Sequence, residues 1–457
     1  MRRTTSQPGP ASVLRVEHVA IEQLKLDPRN PRLHGDRQIK QIAASIKAFG
    51  FNVPVLADQE GNLLAGHGRV HAARRLGLRD IPVIRLEHLT PEQARAFSIA
   101  DNRLSEIAIW DDQLLGEVLR DLAAVELDFD LEAIGFTMGE IDLRIEGISA
   151  SAGGNPDPAD VLPAALDEPP VSRPGDLWQL DRHQLLCGNA LDQTSYERLM
   201  QGVVADLVFT DPPYNVPIDG HVSGKGRVRH REFLMASGQM TSAQFIRFLA
   251  TSLELLVHHS AAGSLHYVCM DWRHQHELLT AALEIYSELK NLCVWVKDNA
   301  GMGSLYRSQH ELIFVFKNGR APHRNNIELG RHGRNRSNVW HYPSLNNFGR
   351  RGDEGNLAAL HPTVKPVALI ADAILDCTAR GDLVLDPFLG SGSTLLAAER
   401  VGRICRGMEL DPLYVDAAIR RWQRFTGVSA IHAATGKCFD DLGSVEIHRE
   451  LMTAAVR

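Results

Sequence analysis

Asp211, Pro212, Pro213 and Tyr214 are the residues of this chain whose types and spacing best fit a chemical step. They directly follow the apolar run 207–209, so they stand at the carboxyl end of a strand, where open α/β sheets bind ligands. The Asp211 carboxylate and the Pro212 carbonyl can each accept one hydrogen of an exocyclic base amine, which frees the lone pair of its nitrogen for attack. Proline adds no competing N–H, and Tyr214 offers a ring on which an extruded base can stack. The tetrapeptide predicts methylation of a base amine.

Residues 383–399 have the order strand, glycine-rich turn and helix, with Gly390 and Gly392 in the turn. Glycines let a backbone approach a cofactor closely. Glu409 follows Gly390 by 19 residues at the end of the next strand, a spacing that suits an acid bound to ribose hydroxyls. Leu395 replaces the third glycine of a nicotinamide-binding turn, and no Gly-Lys-Ser/Thr follows as in a phosphate loop. The turn therefore favours a different nucleoside cofactor.

The composition is that of an intracellular enzyme with several domains. The chain has 457 residues, of which 44% are hydrophobic and 23% are charged, enough for two or three sizeable cores. Residues 1–10 lack the apolar core of a signal peptide, and no apolar run is long enough to span a bilayer, so we expect a cytoplasmic protein without membrane contact. The six cysteines show no C-x-x-C spacing, which favours buried thiols over disulfides or a metal site.

The two motifs together resemble a DNA amino-methyltransferase of the β arrangement, in which the catalytic tetrapeptide precedes the cofactor loop. The resemblance covers residues 174–440. The segment 361–366 is similar to the second cofactor-binding segment of that family, and 295–297 and 338–340 look like further family segments. The resemblance implies a Rossmann-like α/β fold, S-adenosylmethionine as the cofactor and double-stranded DNA as the substrate.

The resemblance also implies which residues surround the cofactor. The family has a Gly-Asp near the start of the domain, whose acid contacts the adenine of the cofactor. Here Gly188 and Asn189 stand at that place, and the Asn189 amide oxygen can accept a hydrogen bond without bringing a charge. The residues implied around S-adenosylmethionine are Asp386, Phe388, Gly390, Gly392, Thr394, Lys365, Glu409 and Asn189.

The net charge of −7 is unevenly distributed. Residues 290–351 carry eleven Lys or Arg against three acids, a balance of +8, whereas residues 101–146 have a balance of −10. The basic segment has the electrostatic character expected of a phosphate-binding surface, and it lies where the resembled family keeps its target-recognition region. Within 324–336, arginine and asparagine side chains are suited to guanine and adenine edges. The predicted DNA contacts are Arg324, Arg331, Arg334 and Arg336.

The amino-terminal part is predicted to be a separate unit. Residues 39–49 have helical periodicity, and the runs 54–57 and 62–65 are typical of paired strands around Gly61. This part resembles the ParB amino-terminal domain, whose first motif is matched by residues 30–32. Residues 101–104 resemble a degenerate third motif of the same family.

Gly66, His67, Gly68 and Arg69 form the turn that leads into the next helix. In the ParB family this turn holds the phosphates of cytidine triphosphate, which suits the free N–H groups of a helix start. His67 stands where the family commonly has Glu, and Gly68 and His71 stand where it has Arg. These departures count against nucleotide hydrolysis and leave open two roles, nucleotide binding and a ParB-shaped scaffold for DNA or protein contacts.

The sequence thus predicts a smaller α+β domain of the ParB/sulfiredoxin type, followed by a Rossmann-like methyltransferase. No helix-turn-helix signal stands out after residue 105, and the acidic helices there are not expected to contact DNA. The predicted boundaries are 14–105 for the ParB-like domain, 106–146 for an acidic helical extension, 147–173 for a linker and 174–440 for the methyltransferase.

The expected activity is methylation of the adenine N6 amine in DNA, because a leading Asp in the tetrapeptide is commoner for adenine targets in the resembled family. Cytosine-N4 methylation is one alternative, and methylation of RNA or of a protein amide is another. A third is a ParB-like DNA-binding or partition regulator with a non-catalytic methylase fold. The oligomeric state stays open, with a dimer as one possibility.

Overall fold

The computed structural model divides the chain into two compact units, residues 1–152 and 153–457. Each unit has its own sheet and its own hydrophobic core. The residues described are 14–28, 30–108, 110–125, 127–150, 159, 169–216, 235–236, 238–298, 300, 305–327, 336–343 and 364–443.

The amino-terminal unit is built on a four-stranded sheet in the order β1-β4-β2-β3. The predicted hairpin is confirmed, since β2 and β3 pair antiparallel around Gly61, which has a φ of +82°. Val55, Val70 and Val83 are buried in the core of this unit. The strands are β1 (Val16–Ala20), β2 (Val55–Ala57), β3 (Leu63–Ala65) and β4 (Asp80–Arg85), and the helices are α1 (Asp36–Phe49), α2 (His67–Arg75), α3 (Pro91–Ile107), α4 (Asp112–Ala123) and α5 (Met138–Ala150).

The helices α3 and α4 have clear start signals, and α4 shares a small core with α5. Thr90 and Gln93 form a capping box at the start of α3, and the Asp111 side chain caps α4 by accepting the Leu114 N–H at 3.0 Å. Such caps satisfy backbone donors that a helix start leaves unpaired. The helices α4 and α5 pack around a separate apolar cluster that includes Leu119 and Ile141. The acidic stretch is therefore helical, as predicted.

The carboxyl-terminal unit contains a ten-stranded sheet in the order β11-β9-β10-β8-β7-β12-β13-β6-β5-β14. Its central strands β8, β7, β12, β13 and β6 are parallel, and β10 runs antiparallel to both β8 and β9. The strands are β5 (Leu177–Leu180), β6 (His183–Cys187), β7 (Ala205–Thr210), β8 (Ser260–Met270), β9 (Glu288–Val296), β10 (His310–Lys317), β11 (Val339–His341), β12 (Leu383–Asp386), β13 (Ile404–Glu409) and β14 (Ile431–His432).

Helices cover both faces of this sheet. Leu207 and Phe209 of β7 belong to one hydrophobic cluster and Val208 belongs to another, because successive side chains of a strand point to opposite faces. The first cluster includes residues of α9, α10 and α11, and the second includes residues of α6, α7 and α8. These helices are α6 (Gln193–Met200), α7 (Ser242–His258), α8 (Gln275–Ala282), α9 (Val367–Cys377), α10 (Ser393–Arg400) and α11 (Pro412–Thr426).

The chain reverses its direction of travel across the sheet between β7 and β12. From β7 it continues to β8 on one side, and from β12 it continues to β13 on the other. The carboxyl ends of such neighbouring parallel strands diverge into a crevice, which is where open α/β sheets bind ligands. Both motifs found in the sequence follow these two strands.

Described residues at the two ends of the predicted linker 147–173 adjoin neighbouring elements. The helix α5 extends to Ala150. At the other end, the backbone N–H groups of Val171 and Ser172 donate to the Asp416 carboxylate at 2.7 and 3.0 Å. Residues at this end therefore belong to the carboxyl-terminal unit, because a buried carboxylate holds their backbone in place.

Five of the six cysteines are buried, and all six are free thiols. Burial in the sheet raises the pKa of the Cys187 thiol to about 12, so it is uncharged at neutral pH. No helix within the described ranges combines the length and the apolar character needed to cross a bilayer.

Candidate active site at the carboxyl edge of the large sheet

The tetrapeptide forms the loop that leaves β7. The Tyr214 hydroxyl donates to one oxygen of the Asp211 carboxylate, and the Lys365 ammonium group donates to the other at 2.5 Å. Asn215, in the left-handed region at a φ of +53°, fastens the end of the loop because its amide group bonds the backbone of Met240 in both directions. The loop is thus held at both ends, and residues 217–234 beyond it lie outside the described residues.

A buried cluster of charges lies behind Asp211. The Lys365 ammonium group lies 2.9 Å from the Glu311 carboxylate, and Glu311 also pairs with Lys297 at 2.5 Å. The side chains of Lys365 and Glu311 are only 4% and 8% exposed. The Lys365 ammonium group also lies 5.6 Å from the centroid of the Tyr214 ring, a cation–π distance.

The charged groups of this cluster shift one another's pKa values. Burial raises the pKa of Asp211, and the nearby Lys365 cation offsets part of that rise. Burial also acts to raise the pKa of Glu311, but the cations of Lys365 and Lys297 outweigh it and lower the pKa to about 2. Burial alone would lower the pKa of Lys365, whereas its two carboxylate neighbours raise it. Lys365 and Glu311 are therefore charged at neutral pH.

The glycine-rich turn is organised by a buried carboxylate. The Asp386 side chain accepts hydrogen bonds from the hydroxyls of Thr210 (3.0 Å) and Thr394 (2.7 Å) and from the Phe388 N–H (3.1 Å). These bonds join the ends of the neighbouring strands β7 and β12 to the start of α10. Burial raises the pKa of Asp386 to about 7.

Glu409 closes the turn from the end of β13. Its carboxylate accepts the N–H of Gly390 at 2.9 Å and the N–H of Asp411 at 2.8 Å. Burial raises the pKa of Glu409 to about 7. Each carboxylate oxygen has a second lone pair, so Glu409 retains the capacity to accept hydroxyl donors from a ligand.

The two motif loops line a common cavity of about 1200 Å³, including its open mouth. Its walls come from the loops after the parallel strands β6, β7, β12 and β13 and from residues of α9 and α11 such as Ile370 and Tyr414. The residues predicted from sequence that line it are Asp211, Pro212, Pro213, Tyr214, Lys365, Asp386, Phe388, Gly390, Thr394 and Glu409.

Gly392 and Asn189, both implied at the cofactor by the resemblance, do not line this cavity. Gly392 has a φ of +89°, and a Cβ there would come within 2.9 Å of the Ala418 Cβ, so the packing of α10 on α11 requires glycine. The Asn189 amide oxygen accepts the Leu191 N–H at 3.0 Å, and its neighbour Ala190 lines the cavity instead. Local backbone geometry therefore explains why glycine stands at position 392 and asparagine at position 189.

Lys365, which the resemblance implied at the cofactor, lines the cavity. Its ammonium group contacts the carboxylates of Asp211 and Glu311. Sequence reasoning missed Glu311 and counted it only as an acid within the basic segment. The available signal was an acid directly before the apolar run 312–316, since acids are rarely buried unless they are paired. Residues 361–363 of the same predicted segment lie outside the described residues.

Arg336, one of the predicted DNA contacts, forms ion pairs with acids of this same chain. Its guanidinium pairs with Asp372 at 2.7 Å and with Asp376 at 2.9 Å, and its side chain is 16% exposed. It also lies 5.0 Å from the ring centroid of Trp340. Burial acts to lower the pKa of Arg336, but Asp376 and Asp372 raise it. The Arg336 charge that the sequence assigned to DNA phosphates is therefore paired with two acids that are distant in sequence.

The other predicted DNA contacts have different outcomes. Arg324 is exposed, whereas Arg331 and Arg334 lie outside the described residues. Asn326, which the sequence suggested for base contacts, is buried and donates to the carbonyls of Leu375 (2.7 Å) and Thr378 (2.8 Å). Asn326 thereby satisfies carbonyls at the end of α9, which a helix terminus leaves unpaired.

In the amino-terminal unit, Gly66 precedes α2 with a φ of +96°. His67 is buried, and its Nε2 atom and the Nε atom of Arg69 have no hydrogen-bond partner among the described residues. His34 lies over the first turn of α2, because a Cβ on Gly68 would come within 3.1 Å of the His34 ring. Imidazole and guanidinium groups therefore surround the predicted phosphate-binding turn.

The two ParB-like segments flanking this turn are joined in the structure. The Arg32 guanidinium donates to the Asn102 side chain at 2.8 Å across 70 positions of sequence. The Asn30 side chain in turn accepts the Arg32 N–H at 3.2 Å. The predicted first and third motifs therefore lie side by side.

Three family models match successive parts of the chain. The model described as "ParB N-terminal domain" matches residues 6–103, "ParB-methyltransferase HTH domain" matches 113–174, and "DNA methylase" matches 205–420. The middle match assigns a helix-turn-helix domain to a stretch in which the sequence analysis found no such signal. The helix α5 and all but the first residue of α4 lie within this match.

Individual relatives match each part separately. The ParB-like nuclease domain-containing protein YnaK of Escherichia coli (strain K12) is 42% identical over 80 residues, 18% of this chain and 92% of that protein. The Type II methyltransferase M2.MboI of Moraxella bovis is 25% identical over 255 residues, 53% of this chain and 88% of that protein. Among solved structures, the PvuII DNA methyltransferase (cytosine-N4-specific) has a TM-score of 0.41 and 15% identity and covers 61% of this chain and 94% of that chain.

Proposed function

We propose that this chain, which belongs to the DNA methylases of the N6/N4 family and carries a ParB N-terminal domain, methylates the exocyclic N6 amine of adenine at specific sites in double-stranded DNA. Members of this family are S-adenosylmethionine-dependent DNA methyltransferases. The observation that carries the adenine proposal is the Asp211 carboxylate, which lines the same cavity as the glycine-rich turn and Glu409. An amine held by Asp211 would face whatever that turn binds.

The residues of the cavity fit S-adenosylmethionine. Glu409 offers free lone pairs to ribose hydroxyls, and the acids lining the cavity suit a cofactor that carries a positive charge. When bound, the cofactor supplies the electrophilic methyl group and its leaving group. The protein then contributes orientation, which brings the amine and the methyl group together without a covalent enzyme intermediate.

Each member of the tetrapeptide has a separate proposed role. The Asp211 carboxylate and the Pro212 carbonyl each accept a hydrogen bond from one N–H of the target amine. This orients the amine so that its lone pair points at the methyl group. The Tyr214 ring stacks on the extruded base, while Pro213 stiffens the loop between them. Since Asp211 lies inside a cavity, the target base must swing out of the DNA duplex to reach it.

The test is methylation of DNA in cells that express the protein, read by sequencing with modified-base detection and by mass spectrometry of digested nucleosides. We expect N6-methyladenine at one recognition sequence. N4-methylcytosine instead would establish the cytosine alternative. Absence of both, with S-adenosylmethionine still bound by the purified protein, would favour the ParB-like regulator with a non-catalytic methylase fold.

Asp211→Ala and the matched variant Asp211→Asn examine the site assignment itself. We expect a loss of turnover of at least about 100-fold in Asp211→Ala, as is usual when a group that orients the reacting atoms is removed. Cofactor affinity, measured by calorimetry, should stay near that of the parent because the glycine-rich turn is untouched. Substantial turnover in Asp211→Ala would remove Asp211 from this role.

DNA affinity is proposed to depend on Arg331 and Arg334, with Arg324 as a further exposed cation. Each phosphate contact contributes a log–log salt slope of about −0.9, so Arg331→Gln together with Arg334→Gln should flatten the slope by up to about two units. Arg336→Gln is the matched control, because the Arg336 guanidinium is engaged with Asp372 and Asp376. It should lower the thermal stability and leave the slope unchanged.

The amino-terminal unit is proposed to bind the phosphates of a nucleotide, cytidine triphosphate by its ParB resemblance. The buried Nε2 of His67 and Nε of Arg69, which have no hydrogen-bond partner among the described residues, lie beside the start of α2 and support an anionic ligand. Calorimetry with cytidine triphosphate should detect binding that Arg69→Ala weakens. If the parent protein shows no binding, the scaffold alternative holds.

A further inference from the structure

We propose that Lys365 is a positioning residue that keeps the Asp211 carboxylate ionised and directed into the cavity, and that Glu311, supported by Lys297, holds Lys365 in that place. This inference rests on the proposed role of Asp211 as the acceptor for the target amine. Lys365 thereby takes a role at the amine rather than at the cofactor, and Glu311 and Lys297 join the reaction site.

The geometry that carries the inference is a chain of ion pairs from four separate parts of the unit. Lys365, just before α9, lies 2.5 Å from Asp211 and 2.9 Å from Glu311. Glu311, on β10, lies 2.5 Å from Lys297, which follows β9. The only member that lines the cavity beside Asp211 is Lys365, so Glu311 and Lys297 act on the site through it.

The cluster balances its charges. Two ammonium groups face two carboxylates, and an isolated charge at this depth would be strongly disfavoured. Asp211 must nevertheless be ionised to accept the amine hydrogens, because a protonated carboxyl presents an O–H donor instead. Lys365 supplies the positive charge that makes this ionised form stable within the fold.

The influences of Lys365 and Glu311 on Asp211 have opposite signs. The groups that face Asp211 are Lys365, Glu311, Tyr214, Cys269 and Asp386. Apart from burial, the cation of Lys365 lowers the pKa of Asp211, whereas the negative charge of Glu311 raises it. Removing Lys365 should therefore favour protonated Asp211, and removing the charge of Glu311 should favour the ionised form.

The experiment is the pH dependence of single-turnover methyl transfer between about pH 5 and about pH 9, with DNA and cofactor saturating. Lys365→Met should move the acidic limb of the pH–rate profile to higher pH, and Glu311→Gln should move it to lower pH. Each displacement should be about one pH unit. Lys365→Arg keeps the cation and should restore the parent limb. A merely structural role would lower the rate in both variants without opposite displacements.

A charge-preserving pair covers the case in which Glu311→Gln fails to fold. Lys297→Met combined with Glu311→Gln removes one charge of each sign and leaves the Asp211–Lys365 pair intact. Its acidic limb should lie at or below that of the parent. A limb at higher pH, or displacements in the same direction for Lys365→Met and Glu311→Gln, or no displacement in either, would overturn the inference.

Failure of this inference is separable from failure of the proposed function. If Asp211→Ala retains turnover, the role of Asp211 is wrong and the positioning role is wrong with it. If Asp211→Ala is inactive while Lys365→Met and Glu311→Gln keep the parent pH profile, the amine site stands and only the positioning role is rejected.

Discussion

Two strand-to-helix turns of this protein share a backbone device and differ in the charges around it. Gly66 precedes α2 with a φ of +96°, and Gly392 precedes α10 with a φ of +89°. Within the described ranges, neither helix start has a side-chain cap. A Cβ on Gly66 would come within 2.8 Å of Val55, and one on Gly392 within 2.9 Å of Ala418. In both turns, conformation and close packing require glycine.

The side chains around the two turns have opposite character. Near Gly392 the acids Asp386 and Glu409 surround the turn, whereas His67 and Arg69 follow Gly66. Exposed N–H groups at a helix start favour an anion, and the basic groups near Gly66 strengthen that preference. The acids near Gly392 reverse it and favour hydroxyl donors and a positive ligand. The glycines alone therefore do not identify the ligand.

The largest effect is expected from Asp386→Ala. The substitution removes the three hydrogen bonds that the Asp386 carboxylate accepts from the Thr210 and Thr394 hydroxyls and the Phe388 N–H. These three donors lose that acceptor. Each unsatisfied buried group costs about 1–3 kcal/mol, so cofactor affinity measured by calorimetry should fall at least about 100-fold. Nucleotide binding by the amino-terminal unit should not change. Unchanged cofactor affinity would mean that the acid does not organise the turn.

The glycine substitutions compare the two turns directly. Gly66→Ala and Gly392→Ala combine a left-handed backbone with a close contact and should each cost about 2–4 kcal/mol. Gly77→Ala and Gly427→Ala are matched controls, since both have positive φ with nothing within 4 Å and should cost only about 1 kcal/mol. Chemical denaturation measures all four. Equal losses in tested and control variants would remove close packing as the reason for glycine.

Cofactor affinity should rise with pH. Burial raises the pKa of both Glu409 and Asp386 to about 7, so both acids are largely protonated below that pH. A positive ligand favours their ionised forms, and binding should therefore release protons. Calorimetry should show affinity about three- to tenfold higher at about pH 8 than at about pH 6, with a smaller change in Glu409→Gln. A flat profile in the parent would separate these acids from the ligand.

Nucleotide affinity should change in the opposite direction and by a smaller factor. Burial and the neighbouring His34 lower the pKa of His67, although Asp27 acts to raise it. Burial, His34 and Arg74 lower the pKa of His71. Bound phosphates would raise these pKa values, so binding takes up protons. Affinity should be a few-fold higher at about pH 6 than at about pH 8, less so in His67→Gln. If cofactor affinity and nucleotide affinity changed in the same direction with pH, the proposed difference in charge between the two turns would be contradicted.

Local sequence patterns determined much of this protein. The strands before both motifs, the glycine-rich turn, the hairpin around Gly61 and the acidic helices were predicted and confirmed. The reason is that alternation, glycine and capping residues act over a few neighbouring positions. Ten of the twelve residues predicted for catalysis and the cofactor line one cavity, since both motifs follow adjacent parallel strands.

Only the tertiary structure decided which charges meet. Lys365 contacts Asp211 across 154 positions of sequence, and Glu311 joins them because β10 runs back antiparallel beside β8 and β9. The same fold gives Arg336, predicted from sequence to contact DNA, acidic partners on α9. A run of like charges specifies composition but not partners. Partners depend on which elements become neighbours in the fold, and for a buried charge the partner decides its role.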